Sequence, residues 1–432
     1  MTRRELFERL NTILTNNHIK YALVGRTEDY PAEIASDIDI IINFEDIIKF
    51  HHIIWEIECE GVHIIQMLQH EIVAFYYIVY SQEGNKSIYI QPDVCTDYYR
   101  KGRKLITSGY LMQGIQESPN KGFYILCPEK EFIYYLLKKI DKQAISEEQF
   151  EHICNNYFGN KEGAKAELNI FWDERDSLFI SNTIERHDYP LFVSKIKHLQ
   201  KGIHDSHKIV LIDRLKNYLL KLKRILYPTG YTIAIMGPDG SGKTTVINQL
   251  RTDIATAFRH IQMFHLFPVR QSGDEHINSA PHNNKPRGPI LSIIKLFYFV
   301  WIYIYGHLNY VLPMKIKSTL TIFDRYYDDL LVDPRRYRNN TPNWIIYFFR
   351  FFIPEPDLWI FLDCPTDIIQ SRKSEVPPEE TERQRQAYLH LSSTRKNCIV
   401  LNTHRDVHEI SAEACNFICN SLSRRATQRY KK

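Results

Sequence analysis

The densest run of chemistry-bearing residues is Gly237-Pro238-Asp239-Gly240-Ser241-Gly242-Lys243-Thr244-Thr245. A glycine, four residues, then Gly-Lys-Ser/Thr is the spacing of a loop that cradles phosphate. Glycines let the backbone wrap closely around phosphate oxygens. The loop N–H groups and the start of the next helix point at the anion. Gly237, Gly240, Ser241, Gly242, Lys243, Thr244 and Thr245 are therefore the phosphate-binding candidates, with Lys243 able to reach β- and γ-phosphates and Thr244 able to ligate magnesium. A second element is Thr319-Leu320-Thr321-Ile322-Phe323-Asp324-Arg325-Tyr326-Tyr327. Asp324 ends an apolar strand pattern, where such a fold places its second magnesium contact. Arg325 beside it can neutralise a transferring or acceptor phosphate. A third element is Ser36-Asp37-Ile38-Asp39-Ile40-Ile41-Ile42. Carboxylates at i and i+2 of a strand share a face, and such a pair can hold magnesium on a nucleoside triphosphate.

These residues need elements to position them. Tyr227-Pro228-Thr229-Gly230 is a breaker cluster and marks a boundary. After it, apolar runs at Tyr231–Met236, Ile261–His265, Leu320–Phe323, Leu358–Leu362 and Cys398–Leu401 alternate with helical patterns. That alternation predicts a parallel five-stranded sheet with helices on both faces. Before it, a short amphipathic helix (Arg4–Asn16) leads into strands at Tyr21–Val24, Ile38–Ile42, Ala74–Tyr80 and Ile88–Gln91, a mixed α/β pattern. Pro92 is expected to interrupt strand pairing directly before Asp93. From Pro128 the spacing turns helical, at 131–140, 147–158 and 194–226, and the lysines and arginines of the last stretch read as a solvated face. The predicted class is α/β, with domains at 1–127, 128–228 (helical) and 229–432.

A chain of 432 residues suggests roughly two or three domains. With 44% hydrophobic and 25% charged residues it can bury a sizeable core. A net charge of +4 suits phosphate-bearing ligands but is too small to indicate nucleic acid, so no nucleic-acid partner is expected. The eight cysteines are scattered, and Cys415 and Cys419 lack the company of a zinc site. Reduced thiols in a cytoplasmic protein are expected, and the charged start Met-Thr-Arg-Arg-Glu carries no secretion signal. The apolar stretch Pro289–Pro313 approaches membrane-spanning length but is interrupted by Lys295, His307 and Asn309. It reads as a buried core helix or a homodimer interface near Trp301, with peripheral membrane contact as the alternative.

Two resemblances follow from these residues. The segment from about Thr229 onward resembles the thymidylate kinase group of nucleoside monophosphate kinases. The matching pieces are the loop with Asp239 inside it, Asp324-Arg325-Tyr326, and Pro356-Asp357-Leu358-Trp359-Ile360-Phe361-Leu362-Asp363. A lid-like stretch follows through Ser371-Arg372-Lys373 and Glu382-Arg383-Gln384-Arg385 to Tyr388. The resemblance implies transfer of the γ-phosphoryl of ATP with Mg2+. Lys243, Arg325, Arg372 and Arg383 would spread charge off the transition state, Asp324 would contact the metal, and Asp239 would orient or deprotonate the acceptor. The acceptor side departs from the group: it carries Arg270, His282, Arg287, Arg335 and Arg336, which suit a phosphorylated or otherwise anionic acceptor. Similar kinase-like proteins occur among bacterial surface-polysaccharide genes, so a sugar or glycan acceptor is the further expectation.

The N-terminal part, roughly Tyr21 to Arg103, resembles polymerase-beta-type nucleotidyltransferases. Gly25 and Arg26 stand at the glycine turn, and Asp37 and Asp39 lie on the next strand. That resemblance implies a third metal-binding acid, for which Asp93 is the candidate and Asp97 the fallback. Three readings stay open. The first is an ATP- and magnesium-dependent phosphotransferase. The second is a bifunctional enzyme, or chiefly a nucleotidyltransferase releasing pyrophosphate. The third is a nucleotide-binding scaffold without catalysis.

Overall fold

The computed structural model describes residues 1–100, 102–120, 122–207, 210–269, 287–374 and 376–431, without the side chain of His70. Arg270 and His282 lie outside the described residues. The chain divides into two compact units: Met1–Ser81 with Ile88–Lys223 and Ser423–Lys432, and Gln82–Ser87 with Arg224–Leu422.

In the first unit the strands are β1 (Tyr21–Leu23), β2 (Asp37–Ile42), β3 (Val62–Glu71), β4 (Ala74–Glu83), β5 (Lys86–Cys95), β6 (Tyr98–Arg100), β7 (Arg103–Ile106), β8 (Ile115–Glu117) and β9 (Tyr124–Leu126). Seven of them form a mixed sheet in the order β3-β4-β5-β2-β1-β9-β8, and β6 with β7 form a separate pair. The helix Arg3–Asn16 opens with a capping box, Thr2 accepting from the Glu5 N–H and Glu5 accepting from that of Thr2. Its Leu6, Leu10 and Leu14 share a core with Ile38, Ile40 and Ile42 of β2. Five helices, Pro128–Lys142, Glu147–Gly159, Lys161–Phe171, Glu174–Glu185 and Tyr189–Ser206, build a second core around Leu136, Ile153, Ile180 and Leu199.

Pro92 does not end its strand. β5 runs on to Cys95 and pairs in parallel with β2, Ile38 opposite Pro92 and Asp39 opposite Asp93. The Gln91 N–H donates to Ser36 O. Backbone groups of successive strand residues point to opposite sides, so the missing N–H of Pro92 faces away from β2 and no bond of that pairing is lost.

In the second unit the strands are β10 (Tyr231–Met236), β11 (His260–His265), β12 (Thr319–Asp324), β13 (Leu358–Asp363) and β14 (Cys398–Asn402). They lie in the order β11-β12-β10-β13-β14, and every pairing is parallel. All six residues of β10 are buried, the mark of a strand covered on both faces. The chain leaves β10 to one side for β11 and β12 and to the other for β13 and β14. The carboxyl end of β10 is thus the switch point at which open α/β sheets bind ligands.

The helix Pro289–Gly306 packs Leu296, Phe299, Ile302 and Tyr303 into this core. Its other side leaves Phe297, Tyr298 and Trp301 exposed. The expectation of a buried helix therefore holds for one face only. Among the described residues, Pro289–Ile316 is long and apolar enough to cross a membrane, with 33% of its most apolar window buried.

Candidate functional site

The loop after β10 turns directly into the helix Lys243–Asp253. Gly240 and Gly242 adopt φ of +84° and +87°, a region that L side chains rarely enter. A Cβ on Gly240 would also come within 3.1 Å of Ile369 O. Lys243 is buried, and its Nζ donates to Gly237 O and Pro238 O, both at 2.8 Å. Burial, with Arg325 nearby, lowers its pKa to about 8, although Asp239 opposes the shift. Thr244 and Thr245 are exposed on the first turn of the helix.

Asp239 is the hub of the loop. Arg325 Nη2 donates to its Oδ1, Arg336 Nη1 donates to its Oδ2 at 2.6 Å, and Lys243 Nζ lies 3.5 Å from Oδ1. Burial raises the Asp239 carboxyl, but Arg325, Lys243 and Arg336 outweigh it and hold the group well below the usual carboxylate range. Arg325 reaches the hub from a positive-φ position after β12, with its side chain buried. Its Nη1 donates to Asp329 Oδ2 at 2.8 Å, and Asp329, fully buried, also accepts from the hydroxyls of Tyr337 and Tyr388. The network draws on five segments: the loop, the end of β12, the helix Asp329–Val332, the turn around 336 and the helix Pro378–Thr394.

Asp324, at the end of β12, stands apart. Its Oδ1 is buried without a hydrogen-bond partner among the described residues, as is Ser241 Oγ. Its Oδ2 lies 4.0 Å from His265 Nδ1. An unpartnered buried carboxylate oxygen is costly. A hard cation accepts oxygen ligands of this kind, so Asp324 and Thr244 fit magnesium by donor type.

The remaining candidates lie where their local contacts hold them. Arg372 Nη1 approaches Cys364 Sγ at 3.9 Å, and lies 3.8 Å from the position a Cβ on Gly242 would take, which puts it at the loop. Arg383 is half exposed, donating to Glu380 and to Val332 O. Arg335 is exposed next to Arg336. Arg287 donates to Tyr337 O at 3.3 Å, a carbonyl that Lys295 also contacts at 3.0 Å. Of the described acceptor candidates, Arg336 is thus the one that contacts Asp239 directly. Asp329 has no role in the sequence reading. No local pattern marks it: Arg325 lies in a left-handed bend after β12, and Asp329 opens the helix Asp329–Val332.

In the first unit, Asp39 and Asp93 face each other across β2 and β5. They line a cavity of about 220 Å³ with Glu71, Arg100, Lys138 and Lys142. Lys138 Nζ lies 3.3 Å from Asp39 Oδ1. Burial, then the neighbouring Asp39, pushes the Asp93 carboxyl up to about 7. Burial and Asp39 also raise Asp37, which sits at the exposed start of β2. Burial works against the charge on Lys138, but Asp39 and Asp93 more than restore it.

Gly25 and Arg26 follow Val24, whose N–H donates to Asp39 O at 3.1 Å. The Gly25 N–H donates to Glu131 Oε1 at 2.8 Å, and Arg26 pairs with the exposed Glu148 at 2.6 Å. Asp97 is held by the Ser108 backbone and hydroxyl and by Lys104, a structural setting.

A glycine loop at the switch strand of a parallel sheet, with a buried lysine and an acid–arginine pair opposite, defines a P-loop kinase-like phosphotransferase unit. In agreement, residues 235–414 match the thymidylate kinase family model, a span of less than half the 432-residue chain. No curated protein matches the chain.

Proposed function

We propose that the second unit transfers the γ-phosphoryl of ATP to an anionic or hydroxyl acceptor, a sugar or glycan being one candidate class. The observation that carries this is the convergence of Lys243, Arg325 and Arg336 on Asp239 at the mouth of the loop. Kinase chemistry relies on positioning and on fixed charge around the phosphoryl group. Lys243 would hold the β- and γ-phosphates, with the loop N–H groups behind it. Arg325 would lie against the transferring group, and Arg372 and Arg383 would reach it from the lid side. Asp239 would orient the acceptor hydroxyl. Bound at Thr244 and Asp324, Mg2+ would neutralise charge on the β- and γ-oxygens.

Replacing Lys243 with Ala tests the reading. ATP consumption with any accepted substrate should fall by about three orders of magnitude, while circular dichroism stays that of the parent. Wild-type consumption by the variant would sink the kinase assignment.

A second reading rests on Asp39 and Asp93 meeting over one cavity. There Asp37, Asp39 and Asp93 would hold magnesium on a nucleoside triphosphate, and pyrophosphate would be released. Products separate the two sites, since phosphoryl transfer yields ADP. Asp39→Asn should remove pyrophosphate release and leave ADP formation, and unchanged pyrophosphate would discard this second reading.

A further inference from the structure

The helix Leu211–Leu226 is built the wrong way round for a soluble surface. Placed at about 100° per residue, its Leu211, Leu215, Tyr218, Leu219, Leu222 and Ile225 fall within one apolar arc about 120° wide. That arc is the exposed side, with relative exposures from 40% to 76%. The opposite side, marked by Asp213, Asn217, Leu220 and Arg224, is the half-buried one. No residue of the helix is buried. A helix of this pattern ordinarily turns its apolar stripe into the core and its polar stripe to water.

The charges say what kind of surface would cover the arc. The sixteen residues carry five Lys or Arg and one Asp. On the same wheel Arg214 and Lys221 border one edge of the apolar arc, and Lys216 and Lys223 border the other. Cations on both flanks of an apolar stripe match a phospholipid interface. The stripe enters the acyl boundary, and the long basic side chains reach back to anionic headgroups. At about 1.5 Å per residue the stripe is about 24 Å long and lies flat, as an interfacial helix does. We propose that this helix docks the protein on an anionic membrane surface, in the plane of the headgroups.

The test is flotation of the full chain with vesicles of phosphatidylcholine alone and of phosphatidylcholine with about one-third phosphatidylglycerol. Binding should require the anionic lipid and weaken as salt is raised. Leu215→Asp with Leu222→Asp should reduce it by about tenfold or more, because a charge replaces apolar contact on the buried side of the bound helix. Both positions are exposed in the structure, so the double variant should keep the parent circular dichroism and ATP turnover. Lys216→Glu with Lys223→Glu should lose anionic binding while leaving the apolar arc intact. Three results would overturn the proposal. One is no anionic-vesicle binding by the parent chain. Another is binding that survives the double Asp variant but is lost with Phe297→Ser and Trp301→Ser. The third is a dimer of the parent, dissociated by the double Asp variant, without vesicle binding.

Discussion

The two carboxylate clusters solve the same electrostatic problem in opposite ways. In the second unit Asp239 and Asp329 each meet fixed arginines, and the pairs interlock through Arg325. Ionised groups taken out of water there are matched by partners from several elements, and both carboxyls stay below their ordinary pKa. In the first unit three acids crowd Lys138, and burial leaves Asp93 and Asp37 raised. The first arrangement is rigid and charged before any ligand arrives, which suits phosphoryl transfer. In the second, Lys138 and Lys142 both favour the charged acids, yet burial and Asp39 still leave Asp93 and Asp37 raised. A bound divalent ion would reverse the local shift, so the N-terminal cluster should respond to metal more than the loop network does.

The largest effect should come from cutting the interlock. Arg325→Met removes the partner of a fully buried Asp329 and one partner of Asp239, leaving buried negative charge unpaired. Losses of this kind run to about 3–5 kcal/mol. Urea unfolding followed by tryptophan fluorescence should show the second unit destabilised by about that much. A change below about 1 kcal/mol would mean that the arginine is not holding the cluster together.

Smaller, and confined to chemistry, is the effect of Asp324→Asn. Its buried Oδ1 lacks a partner among the described residues, so the substitution should cost little stability. It should lower ATP turnover by about a hundredfold and raise the magnesium concentration needed for half-maximal rate. An unchanged magnesium dependence would remove Asp324 from the metal site.

The comparison also shows what a sequence can disclose. β10, β12 and β13 were legible because strands buried on both faces leave continuous apolar runs such as Tyr231–Met236. The glycine loop was legible because its spacing is local. Arg336 stood out as a cation on the acceptor side, but not its bond to Asp239, 97 positions away. Asp329 reads as one more acid in a polar stretch until Tyr337 and Tyr388 arrive from separate elements. Asp93 was found by its strand, although β5 runs through the proline that was expected to stop it. Lys138 was not found: on an amphipathic helix it reads as a solvated charge, and only the fold sets it beside Asp39, 99 positions earlier. β3 was missed because His63, Gln66 and Gln69 break its apolar alternation. The charges of Leu211–Leu226 that read as a solvated face, Arg214, Lys216, Lys221 and Lys223, are exposed, but its exposed apolar stripe was not legible, because amphipathic spacing shows that a helix has two faces, not which one the fold turns outward.

The smallest effect tests the raised Asp93 carboxyl directly, without nucleotide. In metal-free protein its carboxyl titrates at about 7, against an ordinary value of 3.8 in the unfolded chain. Between those values the folded state keeps a proton that the unfolded state has released. The unfolding free energy therefore falls as pH rises from about 4 to about 7, and is level above that. The stabilisation is fully present below the unfolded value and lost on passing the folded one. Asp93→Asn cannot ionise, so it should remove this part of the pH dependence. In chelator the variant should be the more stable protein at about pH 8 and should lose the advantage at about pH 4. Urea midpoints at the two pH values, with and without magnesium, measure the difference. Parallel pH profiles for parent and variant would show that Lys138 and Lys142 already balance the acids, and the contrast between the two clusters would then fail.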